Sequence, residues 1–195
     1  MDGLLFYWIA WFLWIIVTFL LPKTTFRTIC AVWILCAIIV TNLYITIGYL
    51  EISITYLALL LGGFVYIASL ERKYFHIFTA ITVMVGYTSL LIWEANAPVW
   101  IFLPRILLIP FICILLISFV SKHLHHRLAI ALTGISAGEC LYSVLLANYS
   151  ISQTVGSFKF LDTISVILFI VILIELVKVG KEYLLSLILK NKNSI

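Results

Sequence analysis

Apolar residues run along this chain in blocks of about 20, broken by short polar or charged connections. The pattern predicts seven helices over 3–21, 28–47, 52–70, 74–93, 99–120, 128–148 and 161–177. Each block is near the ~20 residues that a helix needs to cross a hydrocarbon layer of ~30 Å. None shows the polar–apolar alternation of a barrel strand, so spanning strands are not expected. Thr41, Asn42 and Gly48 dilute the second block, which predicts a helix ending near Asn42 and an interfacial stretch over 43–51. The fold class is therefore an all-α polytopic transmembrane bundle of about seven helices. The connections leave no room for a soluble domain, so 1–179 reads as the bundle. Residues 180–195 read as an amphipathic tail on the membrane surface, with Lys181, Glu182, Lys190 and Lys192 around two short apolar runs.

Charge fixes an expected orientation. If the N-terminus lies outside, the inner connections and tail hold Lys23, Arg27, Arg72, Lys73, Lys122, Arg127, Lys178, Lys181, Lys190 and Lys192. The outer side then keeps only Lys159, with Asp2, Glu51, Glu94 and Asp162. Basic residues favour the cytoplasmic side, so the N-terminus is expected outside and the C-terminus in the cytoplasm. Tyr7, Trp8, Tyr44, Trp93, Trp100 and Tyr149 then fall at the outer interface as belt anchors.

Composition agrees with lipid burial: 65% of the 195 residues are hydrophobic and 10% are charged, with a mean hydropathy of +1.23. A soluble domain carries about 25% charged residues. No basic segment precedes the first block, which is expected to remain as a helix rather than be removed as a signal peptide. The net charge of +4 is scattered over short clusters where lipid headgroups would meet it, so a lipid bilayer and not nucleic acid is the expected partner. Cys30, Cys36, Cys113 and Cys140 all lie in apolar blocks without metal-binding spacing, and no disulfide is expected.

Ionisable groups at membrane depth are costly and mark candidate sites. Arg105 and Glu139 lie on sequential antiparallel blocks, each about 10–14 Å from the outer edge at ~1.5 Å per residue. They form a candidate intramembrane ion pair, open to two readings: a strut fixing two helices, or a substrate or proton site. Pro104 and Pro110, with Pro98 upstream, would kink the fifth block, and kinked helices often line cavities. Gly134 and Gly138 form a small-xxx-small pattern that permits close helix packing. Glu175 and Lys178 read as a same-face pair. His123, His125 and His126 in the fifth connection read as a pH-responsive headgroup-binding loop, with metal binding as the rival. No catalytic motif appears, and neither catalysis, a metal nor a cofactor is expected.

The opening stretch Gly3-Leu4-Leu5-Phe6-Tyr7-Trp8-Ile9-Ala10-Trp11-Phe12-Leu13-Trp14, continuing to Thr18-Phe19, resembles the start of the YphA-type membrane proteins of Bacillus relatives. The resemblance implies a multi-pass protein of the bacterial plasma membrane and carries no functional residues with it. Two functions stay open: an interaction or support role in the envelope, with a membrane protein as a possible partner, or a transport component such as a substrate-binding membrane subunit. Trp8, Trp11 and Trp14 crowd the first block where such a subunit would show small residues, which counts against the second.

Overall fold

The computed structural model describes residues 3–48, 50–71, 73–96, 104–121, 123–149, 151 and 153–192, without the side chains of 183, 184 and 186–192. Asp2, Arg72, Pro98, Trp100 and Lys122, all named above, lie outside the described residues. Seven α-helices cover most of the rest: α1 Leu4–Ile15, α2 Thr25–Ile39, α3 Ile54–Ser69, α4 Lys73–Asn96, α5 Arg105–Val120, α6 Leu124–Ala147 and α7 Phe158–Lys192. A π-helical turn, Ile16–Leu20, extends α1. By length and composition α4, α6 and the 158–182 part of α7 suffice to cross a membrane, and the other helices are shorter apolar ones. Large apolar side chains such as Phe119, Tyr74 and Phe19 point outward with at least three-quarters of their surface exposed. Lipid solvates such a surface; water would not.

The helices alternate in direction, which gives the bundle two ends. One carries a small sheet, the other the histidines. At the sheet end, β1 Tyr44–Ile47 pairs antiparallel with β2 Leu50–Ser53, and β2 pairs parallel with β3 Thr154–Val155. The interfacial stretch read over 43–51 is thus a hairpin, opened by Gly48 at φ 63°. α2 stops at Ile39, eight residues short of the end of the apolar block, and just beyond it Thr41 turns its hydroxyl back on the Ala37 carbonyl at 2.7 Å. Thr55 of α3 donates to the same carbonyl at 3.1 Å and ties the two helices together. After β3, Gly156 at φ 75° lets the backbone turn hard against Tyr56, where any Cβ would clash.

α6 is the central helix, flanked by α3, α4 and α7. A Cβ added to Gly134 would meet the Ala80 carbonyl oxygen of α4 at 2.8 Å, and one on Gly138 the Met84 carbonyl oxygen at 3.0 Å. Gly63 of α3 faces Thr133 as closely from the other side. Contact of this kind is how helices associate where no hydrophobic force separates side chains from lipid. The core that follows contains Val83, Tyr87, Cys113, Ile117, Ile135 and Ile167, all fully buried.

Asp162, in the second turn of α7, has a role that periodicity does not reveal. Its two carboxylate oxygens accept the backbone N–H groups of Gly3 at 2.8 Å and Phe6 at 2.7 Å. The start of α1 is therefore capped by a side chain 159 positions away, and α1 packs along α7. α7 itself runs unbroken through Gly180 to Lys192. The separate tail expected over 180–195 is, through residue 192, the end of this helix. At ~1.5 Å per residue it is about 50 Å long, roughly 20 Å more than a hydrocarbon core.

Substitutions at three positions test this frame. Gly134→Leu is expected to destabilise the protein by about 1–3 kcal/mol or more, since carbonyl backbone cannot give way, whereas Gly180→Ala, with open space around it, leaves the melting temperature in detergent unchanged or raised. Asp162→Ala should cost about 2–3 kcal/mol, from two charge-assisted hydrogen bonds. Asp162→Asn, which keeps one acceptor, should cost less in the same thermal melt.

Candidate functional site

A cavity of roughly 490 Å³ opens at the sheet end. Its size falls in the ~300–1,000 Å³ range of small-molecule sites. The hairpin contributes Tyr44 and Glu51, α6 contributes Glu139 and Tyr142, and Arg105 stands at the start of α5. The segment around β3 and the first turn of α7 complete the wall with Gln153, Thr154, Ser157, Phe158 and Lys159. A smaller recess of roughly 270 Å³ adjoins it, sharing Arg105 and Lys159 and reaching Asp162.

Glu139 forms the floor. It lies eight residues before the end of α6, about 12 Å in, and is 6% exposed. Tyr87 of α4, fully buried, donates its hydroxyl hydrogen to Glu139 Oε2 at 3.1 Å. One residue along, Thr88 donates to the Gly138 carbonyl at 3.0 Å. Tyr56 of α3 donates to the Ser136 carbonyl at 2.8 Å and stacks edge-on against Phe160 of α7 at 5.6 Å. The Tyr87 and Thr88 bonds exist because Gly134 and Gly138 bring α4 within hydroxyl reach of α6. A turn deeper, Ile135, Val83 and Ile167 close the bundle at 0% exposure. The cavity ends at Glu139.

Arg105 and Glu139 both line the cavity, but the salt bridge that Arg105 makes is with Glu94 at the end of α4, at 3.2 Å. The expected Arg105–Glu139 pair is corrected accordingly. α5 begins at Arg105 itself, six residues later than the apolar block, so Arg105 stands level with Glu94 rather than with the deeper Glu139. For the same reason Pro104 is not inside a helix. It precedes α5 and its carbonyl accepts from Leu107 at 2.9 Å. Pro110 lies within α5, buried, where it leaves the carbonyl of Ile106 without its helical donor.

The rim is built by local rules. Thr154 donates to Glu51 Oε2 at 3.2 Å across the parallel strand pair. Burial against the wall pushes the Tyr44 phenol up, with Tyr7 and Glu51 adding to the effect, so this hydroxyl is a neutral donor at ordinary pH.

The four histidines gather at the opposite end. His125 and His126 sit in the first turn of α6 rather than in a loop. His76 of α4, which the sequence did not single out, lies against His126 with ring centroids 4.3 Å apart. His125 Nδ1 and the Tyr66 hydroxyl are 2.8 Å apart. Among the described residues no group of three or more His, Cys, Asp or Glu side chains is arranged to hold a metal ion. Glu175 and Lys178 form a long, partly exposed pair at 3.9 Å.

Comparison with known proteins gives the family. The description "YphA-like integral membrane protein" matches residues 2–194, and the chain belongs to that family. It is 28% identical over 166 residues to the "Uncharacterized protein YphA" of Bacillus subtilis (strain 168), covering 85% of this chain and 83% of the relative. No solved structure matches. The chain is thus an integral membrane protein, and its lipid-facing surface sits in a bilayer.

A double-mutant cycle distinguishes the two pairings of Arg105. Arg105→Ala with Glu94→Ala is expected to show a coupling of about 0.5–1 kcal/mol in thermal stability, the range of a part-exposed pair. The same cycle with Glu139→Ala is expected to give less than half of that.

Proposed function

We propose that this member of the YphA-like family is a non-enzymatic interaction protein of the bacterial plasma membrane. Its sheet end faces outward and the extension of α7 enters the cytoplasm. The orientation rests on the positive-inside pattern: Lys23, Arg27, Lys73, Arg127 and Lys178 sit at or beyond the histidine end, while Glu51, Glu94 and Asp162 sit at the sheet end.

The observation that carries the reading is the dead-end cavity. A polar pocket that opens at one membrane face and stops at a hydrogen-bonded Glu139–Tyr87 pair can hold a ligand but does not conduct one. Its carboxylates already accept bonds, Glu139 from Tyr87 and Glu51 from Thr154. The histidines that most often serve proton transfer lie at the other end of the bundle. The same pocket favours one rival, a substrate-binding membrane subunit of a transporter, which would also capture a ligand on the outer face.

Affinity purification of the full chain from its host in mild detergent, followed by mass spectrometry, separates the two. Envelope proteins or lipid without transport machinery is the expected recovery. Stoichiometric recovery of an ATPase pair with a coupling membrane subunit would replace the interaction reading by the transport one.

A further inference from the structure

The charges around the cavity are unequally matched. Arg105 is held by Glu94 through Nη1, yet its Nε–H is buried without a hydrogen-bond partner among the described residues. Glu139 is nearly inaccessible and, among the described residues, takes one side-chain hydrogen bond, from the neutral Tyr87, and makes no salt bridge. A carboxylate at that depth carries a desolvation cost that a nearby cation would offset. Asp162, in the adjoining recess, supplies no free acceptor of that kind, since both its oxygens hold the amides of α1. Lys159 is exposed and lines both recesses together with Arg105. Tyr142, one turn from Glu139, adds an aromatic face of the kind that attracts ammonium groups.

We propose that the cavity binds a phosphate–ammonium zwitterion, with the ammonium beside Glu139 and Tyr142 and the phosphate beside Lys159 and the Arg105 Nε–H. The assignment rests on reading the cavity as a binding site. Two sources share this chemistry: the headgroup of an amine-bearing phospholipid in the same leaflet, and a free phosphodiester. The cavity mouth lies at the helix ends, level with headgroups. A ligand of one charge sign would leave either Glu139 or the Lys159–Arg105 side unmatched.

The test uses the full chain, read by melting temperature. In detergent it is titrated with glycerophosphoethanolamine, and in nanodiscs it is compared between phosphatidylethanolamine and phosphatidylglycerol. Stabilisation by the soluble diester supports the proposal with a free ligand. Stabilisation in phosphatidylethanolamine discs alone supports it with a lipid headgroup. In either case Glu139→Gln should abolish the effect and Lys159→Ala should weaken it at least tenfold in half-saturating concentration or cancel the difference between lipids. Lys159 is exposed, so its variant folds even if Glu139→Gln does not. Equal stabilisation by phosphatidylglycerol, no stabilisation in either format, or an undiminished effect in Lys159→Ala would overturn the proposal. Such a failure leaves the interaction reading intact, because that reading falls only on recovery of transport machinery in the purification.

Discussion

The approach of α4 to α6 at Gly134 and Gly138 is the contact on which the rest of this structure depends. Two missing side chains let backbone meet backbone at van der Waals distance. That proximity brings the Tyr87 hydroxyl to Glu139 and the Thr88 hydroxyl to the Gly138 carbonyl. In lipid the hydrophobic effect does not drive one helix onto another, so close packing and buried hydrogen bonds must do it. A carboxylate can stand at the centre of this bundle because the helix next to it is near enough to supply a donor.

The same contact accounts for the difference between the two ends. At the sheet end α2 and α3 are short, and the hairpin with β3 fills the space above them while leaving an opening beside α5 and α7. Strands with exposed edges are excluded from lipid but are allowed at the interface, where water satisfies their free backbone groups. At the other end the histidines gather, and α7 projects beyond them. The molecule is therefore asymmetric along the membrane normal: a polar recess at one face, a solitary helix at the other. That asymmetry suits a protein that receives something on one side and touches a partner on the other.

Much of this was legible in the sequence. The seven apolar blocks correspond one for one to the seven helices of the described residues, although only three of these are long enough to cross a membrane and four are shorter. Glu139 and the Gly134–Gly138 step were legible too, since a charge or a small-residue pattern inside an apolar block stands out. The hairpin was not. Tyr44–Ile47 and Leu50–Ser53 are four-residue strands continuous with apolar blocks, too short to show alternation. Nor could the partner of Arg105 be read, since it depends on where α5 starts, and Pro104 sets that start where hydropathy is uninterrupted. The Asp162 cap joins residues 159 apart, beyond the reach of any local pattern. Long-range polar contacts decide the site, and hydropathy is silent about them.

The central claim is an outward-facing recess at the sheet end, and the most direct measurement is chemical labelling of single cysteines in intact cells. In a background with Cys30, Cys36, Cys113 and Cys140 replaced by serine or alanine, Ser157→Cys reports the cavity and Ser69→Cys the opposite end. The account predicts that a membrane-impermeant maleimide modifies Ser157→Cys in intact cells and reaches Ser69→Cys only after the cells are opened. Labelling of Ser69→Cys alone in intact cells, or of neither until lysis, would contradict it.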